Sequence, residues 1–307
     1  MIPPVLLRRL TAFVVFVSAF VFATPACWAQ KTLAWKFKRD SVTNLLIEQD
    51  TSIQMETASG GAVSPIQTQQ HQISNITWTV KEIAPDGQAS IEQLVKRVQL
   101  DLKSPAGNFQ IDTNNNQPLT GIGELMAKGI RPLAGSRFVV KTKPSGEVSD
   151  VVIPDDMLKN LNELSIAGLK EIAANGTLTF PAKSIGVGES WPAQYELEMP
   201  PFGKLIVSTT YQYLGEETVG GRILDRIKET KAIKVADAIG NSGLKMESQE
   251  SGGIIWFDNT RGSIDHSEFK QEMSIKVDRQ STDPAKPSTK TKQTVKQTMK
   301  LKYSPQL

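Results

Sequence analysis

Apolar and polar residues alternate along most of the chain with a period of two. Over residues 191–199 every second residue is apolar, and mostly glutamine or glutamate lies between. The same alternation recurs over residues 205–213, 269–277 and 295–303. It is typical of β-strands that bury one face. The sequence therefore predicts a sheet with one buried side.

One change of parity and several turn dipeptides refine this pattern. The apolar positions are odd-numbered up to Val95 and even-numbered from Val98 onward. One inserted residue resets the alternation of a strand, so we expect a β-bulge near Lys96 and Arg97. Other strand-like segments are separated by turn dipeptides, each of which predicts a β-hairpin. These dipeptides are Asp86-Gly87, Ser145-Gly146, Gly220-Gly221 and Arg261-Gly262.

Two segments depart from the period of two. Residues 155–174 carry apolar residues at helical spacing, after Pro154 and two acids and before Asn175-Gly176. These flanking residues are typical of the two ends of a helix. A shorter helix is expected over residues 120–130, where glycines limit its length.

The predicted fold class is mainly β, with one large curved antiparallel sheet that forms a half-barrel or an open barrel. Residues 30–307 would form one β-rich domain. Its hairpins follow a similar order over about residues 33–153 and 177–303, on either side of the longer helix. This order fits a duplication into two meander halves, but an ordinary meander would show it too.

The first 29 residues have the pattern of a cleaved signal peptide. Arg8 and Arg9 precede the apolar residues 10–23, a segment too short to cross a bilayer. Small residues at Cys27 and Ala29 predict cleavage after Ala29, with export to the periplasm or the extracellular space. The alternative is a lipid anchor on Cys27, but the residues before it do not resemble a lipidation site.

Composition argues against several functional classes. Cys27 is the one cysteine of the chain, so cleavage would leave no disulfide and no thiol nucleophile. The formal net charge is +3, and it falls to +1 once Arg8 and Arg9 are removed. A nucleic-acid-binding domain would be strongly basic. We therefore expect no nucleic-acid partner, and no transmembrane segment in the mature chain.

No residue pattern points to catalysis or to a bound metal. The chain has two histidines, His71 and His266, and neither has the sequence spacing of a metal-ligand set. The adjacent acids Asp155 and Asp156 begin a predicted helix, where carboxylates stabilise the N-terminus. We therefore expect no enzyme, no cofactor and no metal, although two acids brought together by the fold would suffice for hydrolysis.

Three lysines, Lys296, Lys300 and Lys302, alternate with apolar residues in the last predicted strand. One interpretation is a solvated face or a protected edge strand, since lysines at a sheet edge discourage aggregation. The other is a basic surface that contacts anionic lipid headgroups or polysaccharide. The first is favoured, because isolated surface charges contribute little binding energy.

A resemblance to a known family rests on turn and core residues in three segments, 78–89, 144–148 and 188–191. Together they resemble a family of exported bacterial proteins of unknown function, over about residues 33–303. Because the shared residues are structural, the resemblance implies no catalytic residue. At the level of the fold, the expected sheet is similar to the half-barrel carriers of lipoproteins and lipids in the bacterial envelope, and fold alone does not imply function.

The leading hypothesis is a non-enzymatic secreted or periplasmic binding protein, in which the curved sheet and the helix 155–174 enclose an apolar groove for a lipid or another hydrophobic ligand. Its partner would be such a ligand or an envelope protein. Many one-faced strands against few helices leave apolar surface to cover. The alternatives are an interaction module that pairs through a sheet edge, for example strand 294–303, and a hydrolase that uses acidic residues. The groove candidates, which could instead fill the core, are Trp78, Trp191, Tyr211, Tyr213, Trp256 and Phe269.

Overall fold

The computed structural model describes residues 30–59, 62–115, 117–155, 178–199, 203–237, 244–279 and 289–305. The predicted signal peptide lies outside these residues, and so does the predicted helix 155–174 apart from its first residue. Twelve strands occupy most of the described chain. They are β1 (Val42–Ser59), β2 (Ala62–Ile83), β3 (Ala89–Ser104), β4 (Gly107–Asp112), β5 (Arg137–Thr142), β6 (Val148–Val152), β7 (Ser190–Met199), β8 (Gly203–Val219), β9 (Arg222–Asp237), β10 (Leu244–Asp258), β11 (Ser263–Arg279) and β12 (Thr289–Pro305).

All twelve strands belong to one antiparallel sheet. Their order is β6-β5-β3-β2-β1-β12-β11-β10-β9-β8-β7, and β4 pairs with β3 beside this path. Among the described residues β6 and β7 stand at opposite ends of this order and do not pair with each other. The sheet is therefore open, which confirms the predicted fold class.

A short helix, α1 (Ile122–Ile130), lies between β4 and β5 and continues into a 3-10 helix, Arg131–Leu133. This confirms the shorter of the two predicted helices. It packs against β3 and β4 through a small cluster of Leu100, Ile111 and Ala127. No helix in the described parts of the chain is both long and apolar enough to cross a membrane.

The predicted turns and the predicted bulge are present. The four turn dipeptides join β2 to β3, β5 to β6, β8 to β9 and β10 to β11, and each pair of strands is antiparallel. In the β2–β3 ladder Asn75 pairs with Arg97 and Ile76 pairs with Val95, so Lys96 is the extra residue. The bulge restores a common buried face to β3, as the change of parity indicates.

The sheet curves around a single main core. Phe138 of β5 and Tyr211 of β8 belong to the same buried cluster, although eight strand spacings separate β5 from β8 in the sheet order. Eight spacings would place these strands about 38 Å apart in a flat sheet. The sheet must therefore bend to bring them to one core. We call the face that carries this core the inner face, and the opposite face the outer face.

Two segments that are not strands fill one end of the inner face. We call residues 30–37 and 178–185 the plug, and they are joined by an antiparallel bridge between Lys31 and Ile185. Further along the plug, the ring of Trp35 packs edge-on against Phe257 of β10, with 5.8 Å between the ring centroids. We call the end of the sheet that holds the plug the proximal end, and the other the distal end.

Backbone hydrogen bonds tie the plug to two separate hairpin turns. The N–H of Trp35 donates to the carbonyl oxygen of Pro144 at 2.9 Å, next to the β5–β6 turn. The N–H of Lys36 donates to the carbonyl oxygen of Gly262 at 3.0 Å, in the β10–β11 turn. Because the strands of these hairpins lie far apart in the sheet order, the plug connects the two sides of the curved sheet at its proximal end.

The plug also completes a buried ion pair. Asp225 of β9 is only 1% exposed, and its Oδ1 atom lies 2.8 Å from Nζ of Lys31. The hydroxyl of Tyr213 donates to the same oxygen at 2.8 Å. Burial, and then this contact with Asp225, raises the pKa of Tyr213. A buried carboxylate requires such partners. Lys31 of the plug is therefore needed to pair the buried charge of Asp225 in the sheet.

The position of β12 corrects one interpretation of the three lysines. β12 pairs along its length with β1 on one side and β11 on the other, so it lies in the middle of the sheet and is not an edge strand. Lys300 lies between Glu48 and Glu268 in register, and Nζ of Lys296 lies 3.0 Å from a carboxylate oxygen of Glu272. Lys296 and Lys300 therefore lie next to carboxylates of neighbouring strands, whereas Lys302 lies opposite Leu46 and His266. Strand 294–303 also offers no free edge to a partner.

Candidate functional site

The six predicted groove residues do not line a common open groove. Trp78, Trp191, Tyr211 and Tyr213 are buried in the main core on the inner face. Phe269 is also buried on this face, at 5% exposure. These five side chains fill space at the proximal end or next to it. Any open inner surface must therefore lie farther along the strands.

Trp256, the sixth candidate, lies on the outer face. Its indole N–H donates to a carboxylate oxygen of Glu217 at 2.7 Å. Its ring stacks on His266, with 4.3 Å between the ring centroids. The structure thus removes Trp256 from an inner-face groove, because successive residues of a strand point to opposite faces and Trp256 has the parity of the outer one.

Beyond the core, the inner face carries a belt of hydrogen-bonding side chains. Amides dominate it, and they bond to neighbours along the same strand: Gln70 donates to Gln72 at 3.3 Å, and Gln72 donates to Ser74 at 3.1 Å. Apart from one lysine, its side chains are uncharged. We call it the polar belt, and its members are Gln49, Thr51, Gln70, Gln72, Thr209, Lys231, Ser251, Gln271 and Gln297.

Distal to the polar belt, the inner face becomes apolar again. Val207 and Val295 are buried, the other side chains of this region are half-buried, and Ile66 is 42% exposed. Six strands contribute. Ile53, Val295 and Met273 lie side by side in register, and the polar side chains of Thr68, Gln249 and Gln293 lie among the apolar ones on the same face. We call this set the apolar belt, and its members are Ile53, Met55, Ile66, Val207, Ile233, Met273, Ile275 and Val295.

The sheet divides between β9 and β10 at the level of these belts. The ladder of these two strands covers residues 225–230 and 252–257, at the proximal end. Among the described residues, 231–237 and 244–251 have no ladder pair across this boundary. The side chain of Gln249 takes the place of a pair: it accepts the N–H of Ile233 at 2.8 Å and donates to the carbonyl oxygen of Lys231 at 3.5 Å. Among the described residues, side-chain hydrogen bonds of Gln249 therefore replace backbone pairing between the two strands at this boundary.

A buried ion pair lies where the ladder ends. Nζ of Lys231 lies 3.1 Å from a carboxylate oxygen of Glu229, and their side chains are 13% and 10% exposed. The same ammonium group lies 4.6 Å from the ring centroid of Phe269, within the range of a cation–π interaction. Burial, and then the charge of Glu229, raises the pKa of Tyr211 and of Tyr303. The pair is neutral overall and borders both belts.

One polar atom at this boundary has no partner among the described residues. Ser251 is 6% exposed, and its Oγ atom makes no hydrogen bond. Ser251 pairs with Gln271 in the ladder and belongs to the polar belt. A buried hydroxyl without a partner costs free energy, so this position favours a ligand that can supply a hydrogen bond.

The outer face carries a different cluster. Glu48 and Asp50 point outward from β1, and His71 of β2 lies directly opposite Asp50 in the ladder. Nδ1 of His71 lies 2.8 Å from Oδ1 of Asp50. Ligand atoms of the three side chains lie within 4.8 Å of one another. Asp50 and His71 also line a cleft of about 780 Å³ on this side of the sheet, together with Asp101 of β3.

Comparisons with known proteins give no family. No family model matches the sequence, and no curated protein matches it. Among solved structures, lipovitellin, in a structure of its lipid–protein interactions, has a TM-score of 0.49 and 12% identity over 88% of this chain. The chain spans only 26% of that lipovitellin chain.

Two further structural neighbours are proteins of bacteria. The COG4313 outer membrane channel from Pseudomonas putida F1 has a TM-score of 0.24 and 8% identity, over 90% of this chain and 98% of the channel. A DUF1329 family protein from Desulfovibrio piger has a TM-score of 0.15 and 9% identity, over 85% of this chain and 83% of that one. At these identities and TM-scores, none of the three gives a basis for transferring a function.

Sequence reasoning missed both the belts and the outer cluster, for the same reason. Each set joins residues from separate strands, and only the registers of the ladders bring them together. A signal was nevertheless present in β1, where Glu48 and Asp50 are two residues apart and must share a face. The partner, His71, could not be found without the register of the β1–β2 hairpin.

Proposed function

We propose that the protein binds an amphiphilic lipid on the inner face of its sheet. The hydrocarbon chain would lie on the apolar belt, and the head group would lie at the polar belt. One observation carries this proposal: a half-buried apolar surface from six strands directly adjoins a surface of amides and hydroxyls. The two surfaces match the two parts of an amphiphile.

The apolar belt supplies the driving force. Each CH₂ group of the ligand that leaves water would contribute about 0.8 kcal/mol. The described structure leaves Ile53, Met55, Met273 and Ile275 half-exposed, so a hydrocarbon chain would also cover protein surface that water now contacts. Binding sites of this kind are usually apolar, with a few polar groups that orient the ligand.

The polar belt argues for a head group that forms hydrogen bonds and carries no net charge. The single lysine of the belt, Lys231, is already paired with Glu229. An anionic head group would meet the carboxylate of Glu229 as well as the ammonium of Lys231. The remaining members are amides and hydroxyls, which suit hydroxyl, glycosyl or amide groups. Ser251, with its unpartnered Oγ atom, offers one further hydrogen bond.

The end of the β9–β10 ladder is the place where a ligand would reach the belts. A ligand that enters between residues 231–237 and 244–251 would displace the Gln249 side chain but break no ladder pair. The signal peptide expected over residues 1–29 supports a role outside the cytoplasm, where an exported protein meets envelope lipids. We infer that the protein is a non-enzymatic lipid-binding protein of the envelope or the secreted fraction.

A pair of adjacent substitutions tests which face binds the ligand. Ile53→Lys places a charge in the apolar belt, and Gln54→Lys places the same charge at the next, exposed outer position of β1. We expect Ile53→Lys to weaken binding of a fluorescent hydrophobic probe, and of a dodecyl glycoside that displaces it, by about tenfold or more, because one buried charge costs more than 1.4 kcal/mol. Gln54→Lys should bind both probes like the unchanged protein.

Equal binding by both variants and the unchanged protein would contradict the inner-face site. Native mass spectrometry of protein purified gently from its own host gives an independent measurement. We expect a bound lipid on the unchanged protein and on Gln54→Lys, and none on Ile53→Lys. Circular dichroism of all three proteins serves as the control for folding, since a lost β spectrum would explain lost binding in another way.

A further inference from the structure

Beyond lipid binding, we propose that Glu48, Asp50 and His71 bind a divalent metal ion of the Zn²⁺ type on the outer face. The three side chains come from two adjacent strands and point into solvent on the side opposite to the belts. The proposal does not depend on the lipid site, because its three ligand side chains belong to the outer face and none of them is a member of either belt.

The geometry brings three suitable ligand atoms together. Each side chain offers one atom, and these atoms lie within 4.8 Å of one another. A zinc ion bound at about 2.0–2.2 Å by nitrogen and oxygen ligands holds those ligands about 3–3.5 Å apart. Oδ1 of Asp50 and Nδ1 of His71 are already 2.8 Å apart. Small side-chain rotations on the exposed surface would bring in the carboxylate of Glu48.

Charged side chains of both signs surround the cluster. Asp101 of β3 lies opposite His71 in the ladder, on the side away from Asp50, so a carboxylate flanks the imidazole on each side. Among the described residues, neither Glu48 nor Asp101 forms an ion pair within 4 Å, although Lys300 lies in register with Glu48. Lys103, Lys270 and Lys296 line the same cleft, so the attraction for a divalent ion would come from the carboxylates next to the imidazole and not from a net negative surface.

The donor set indicates the class of metal. One imidazole and two carboxylates suit Zn²⁺ and its neighbours among the first-row divalent ions better than Ca²⁺ or Mg²⁺, which prefer oxygen ligands alone. The site has three protein ligands and is exposed, so a fourth position would face the cleft of about 780 Å³. An open fourth position allows water or a small ligand to bind to the metal.

The second histidine shows why the first one is the candidate. Nδ1 of His266 also lies 2.8 Å from a carboxylate oxygen, that of Asp265. That carboxylate, however, is 2.6 Å from the guanidinium of Arg222 and 3.0 Å from that of Arg261. The two guanidinium groups already neutralise it, and the ring of His266 stacks on Trp256. The environment of His266 therefore disfavours a cation, although its histidine–aspartate contact has the same length.

This contrast provides a matched control. The untagged full chain, dialysed against a chelator, is titrated with ZnCl₂ by isothermal calorimetry and with CoCl₂ by visible absorption. We expect the unchanged protein and His266→Ala to bind one Zn²⁺ each and to show a Co²⁺ spectrum. His71→Ala should weaken binding by at least about tenfold, since removal of even an outer partner of a metal ligand costs about 10- to 100-fold. Asp50→Asn, which keeps the shape of the side chain, should also weaken it.

The thermal transition supplies a second readout that does not depend on heats of binding. Zn²⁺ should raise the Tm of the unchanged protein and of His266→Ala, because a ligand that binds only the folded state stabilises it. It should not raise the Tm of His71→Ala. Absence of Zn²⁺ binding to the unchanged protein at millimolar concentration would overturn the proposal. Binding that survives His71→Ala but is lost in His266→Ala would overturn it as well.

Discussion

The same long strands build the two ends of the inner face, yet among the described residues other segments fill only one of them. At the proximal end the plug fills the space, and side chains such as Phe257 and Phe138 are completely buried. At the distal end the apolar belt stays half-exposed in the described structure, and the ladder between β9 and β10 stops. The polar belt lies between these two regions.

This difference shows how one sheet can serve both stability and binding. Close packing at the proximal end stabilises the curvature of the whole sheet. Apolar side chains at the distal end contribute little to the free energy of folding while water still contacts them. A ligand that covers them would therefore gain binding free energy from their burial. Stability should therefore depend on the proximal end, and ligand affinity on the distal end.

The largest expected effect compares one apolar truncation at each end. Phe257→Ala removes a ring that is 0% exposed and packs 4.7 Å from the ring centroid of Phe180, so it should lower the free energy of unfolding by about 3–5 kcal/mol. Met273→Ala, in the half-buried apolar belt, should lower it by about 1 kcal/mol or less. Urea unfolding followed by circular dichroism measures both. Equal losses would mean that the chain itself packs the distal end.

The next effect tests the close approach of the plug to the sheet. Gly146 has φ of 82°, and a Cβ atom there would lie 1.8 Å from the carbonyl oxygen of Leu178 in the plug. Gly188 has a similar φ of 89°, but no atom lies within 4 Å of its Cβ position. Gly188→Ala should cost about 1–2 kcal/mol from the left-handed backbone alone.

Gly146→Ala should cost that amount and about 1–3 kcal/mol more, because the added methyl group must displace the plug. The difference between the two variants in urea unfolding isolates the contact from the backbone strain. If Gly146→Ala were no worse than Gly188→Ala, the plug would not be held tightly against the β5–β6 turn, and the contrast between the two ends would weaken.

The smallest effect is a dependence on alkaline pH that belongs to the proximal end. Three of the four tyrosines of the chain, Tyr211, Tyr213 and Tyr303, are at most 5% exposed, and burial raises the pKa of each. A pKa raised in the folded state means that the unfolded state loses its proton first. Stability is therefore unaffected below about pH 10 and falls as the pH rises above it.

Replacing one of these tyrosines should reduce that fall. In Tyr303→Phe the loss of stability above pH 10 should be smaller by about 1.4 kcal/mol per pH unit. Urea unfolding at a series of alkaline pH values measures the slope, and phenolate absorbance follows the ionisation directly. Ionisation of all four tyrosines before the sheet unfolds would show that solvent reaches the proximal end, contrary to the comparison.

Much of the fold could be predicted because it depends on local patterns. The alternation over residues 205–213 fixes which side of β8 is buried, and Gly220-Gly221 marks the turn to β9. The change of parity at Lys96 locates the bulge of β3. Each of these signals involves neighbouring residues and the period of one strand, and therefore does not depend on which strands come to lie side by side.

The candidate sites could not be predicted in the same way. The buried parity of Trp191 and Tyr211 was correct, but parity alone does not distinguish a core position from an open groove farther along the same face. That distinction depends on the plug, whose segments around Trp35 and Leu178 are far apart in the sequence and have no strand pattern. Trp256 lies between Ile255 and Phe257, which are also large and apolar, so the local sequence does not show which of the three faces outward.

The amino-acid sequence by itself determined the mainly β class, the buried face of most strands, four hairpin turns and one bulge, since these follow from side-chain alternation and turn chemistry. Only the tertiary structure decided that β12 lies between β1 and β11, that the plug fills one end, and that Glu48, Asp50 and His71 meet. The physical reason is that ladder register and sheet curvature join residues distant in sequence. Those contacts are distributed over many strands, so no short segment of the sequence has a pattern that predicts them.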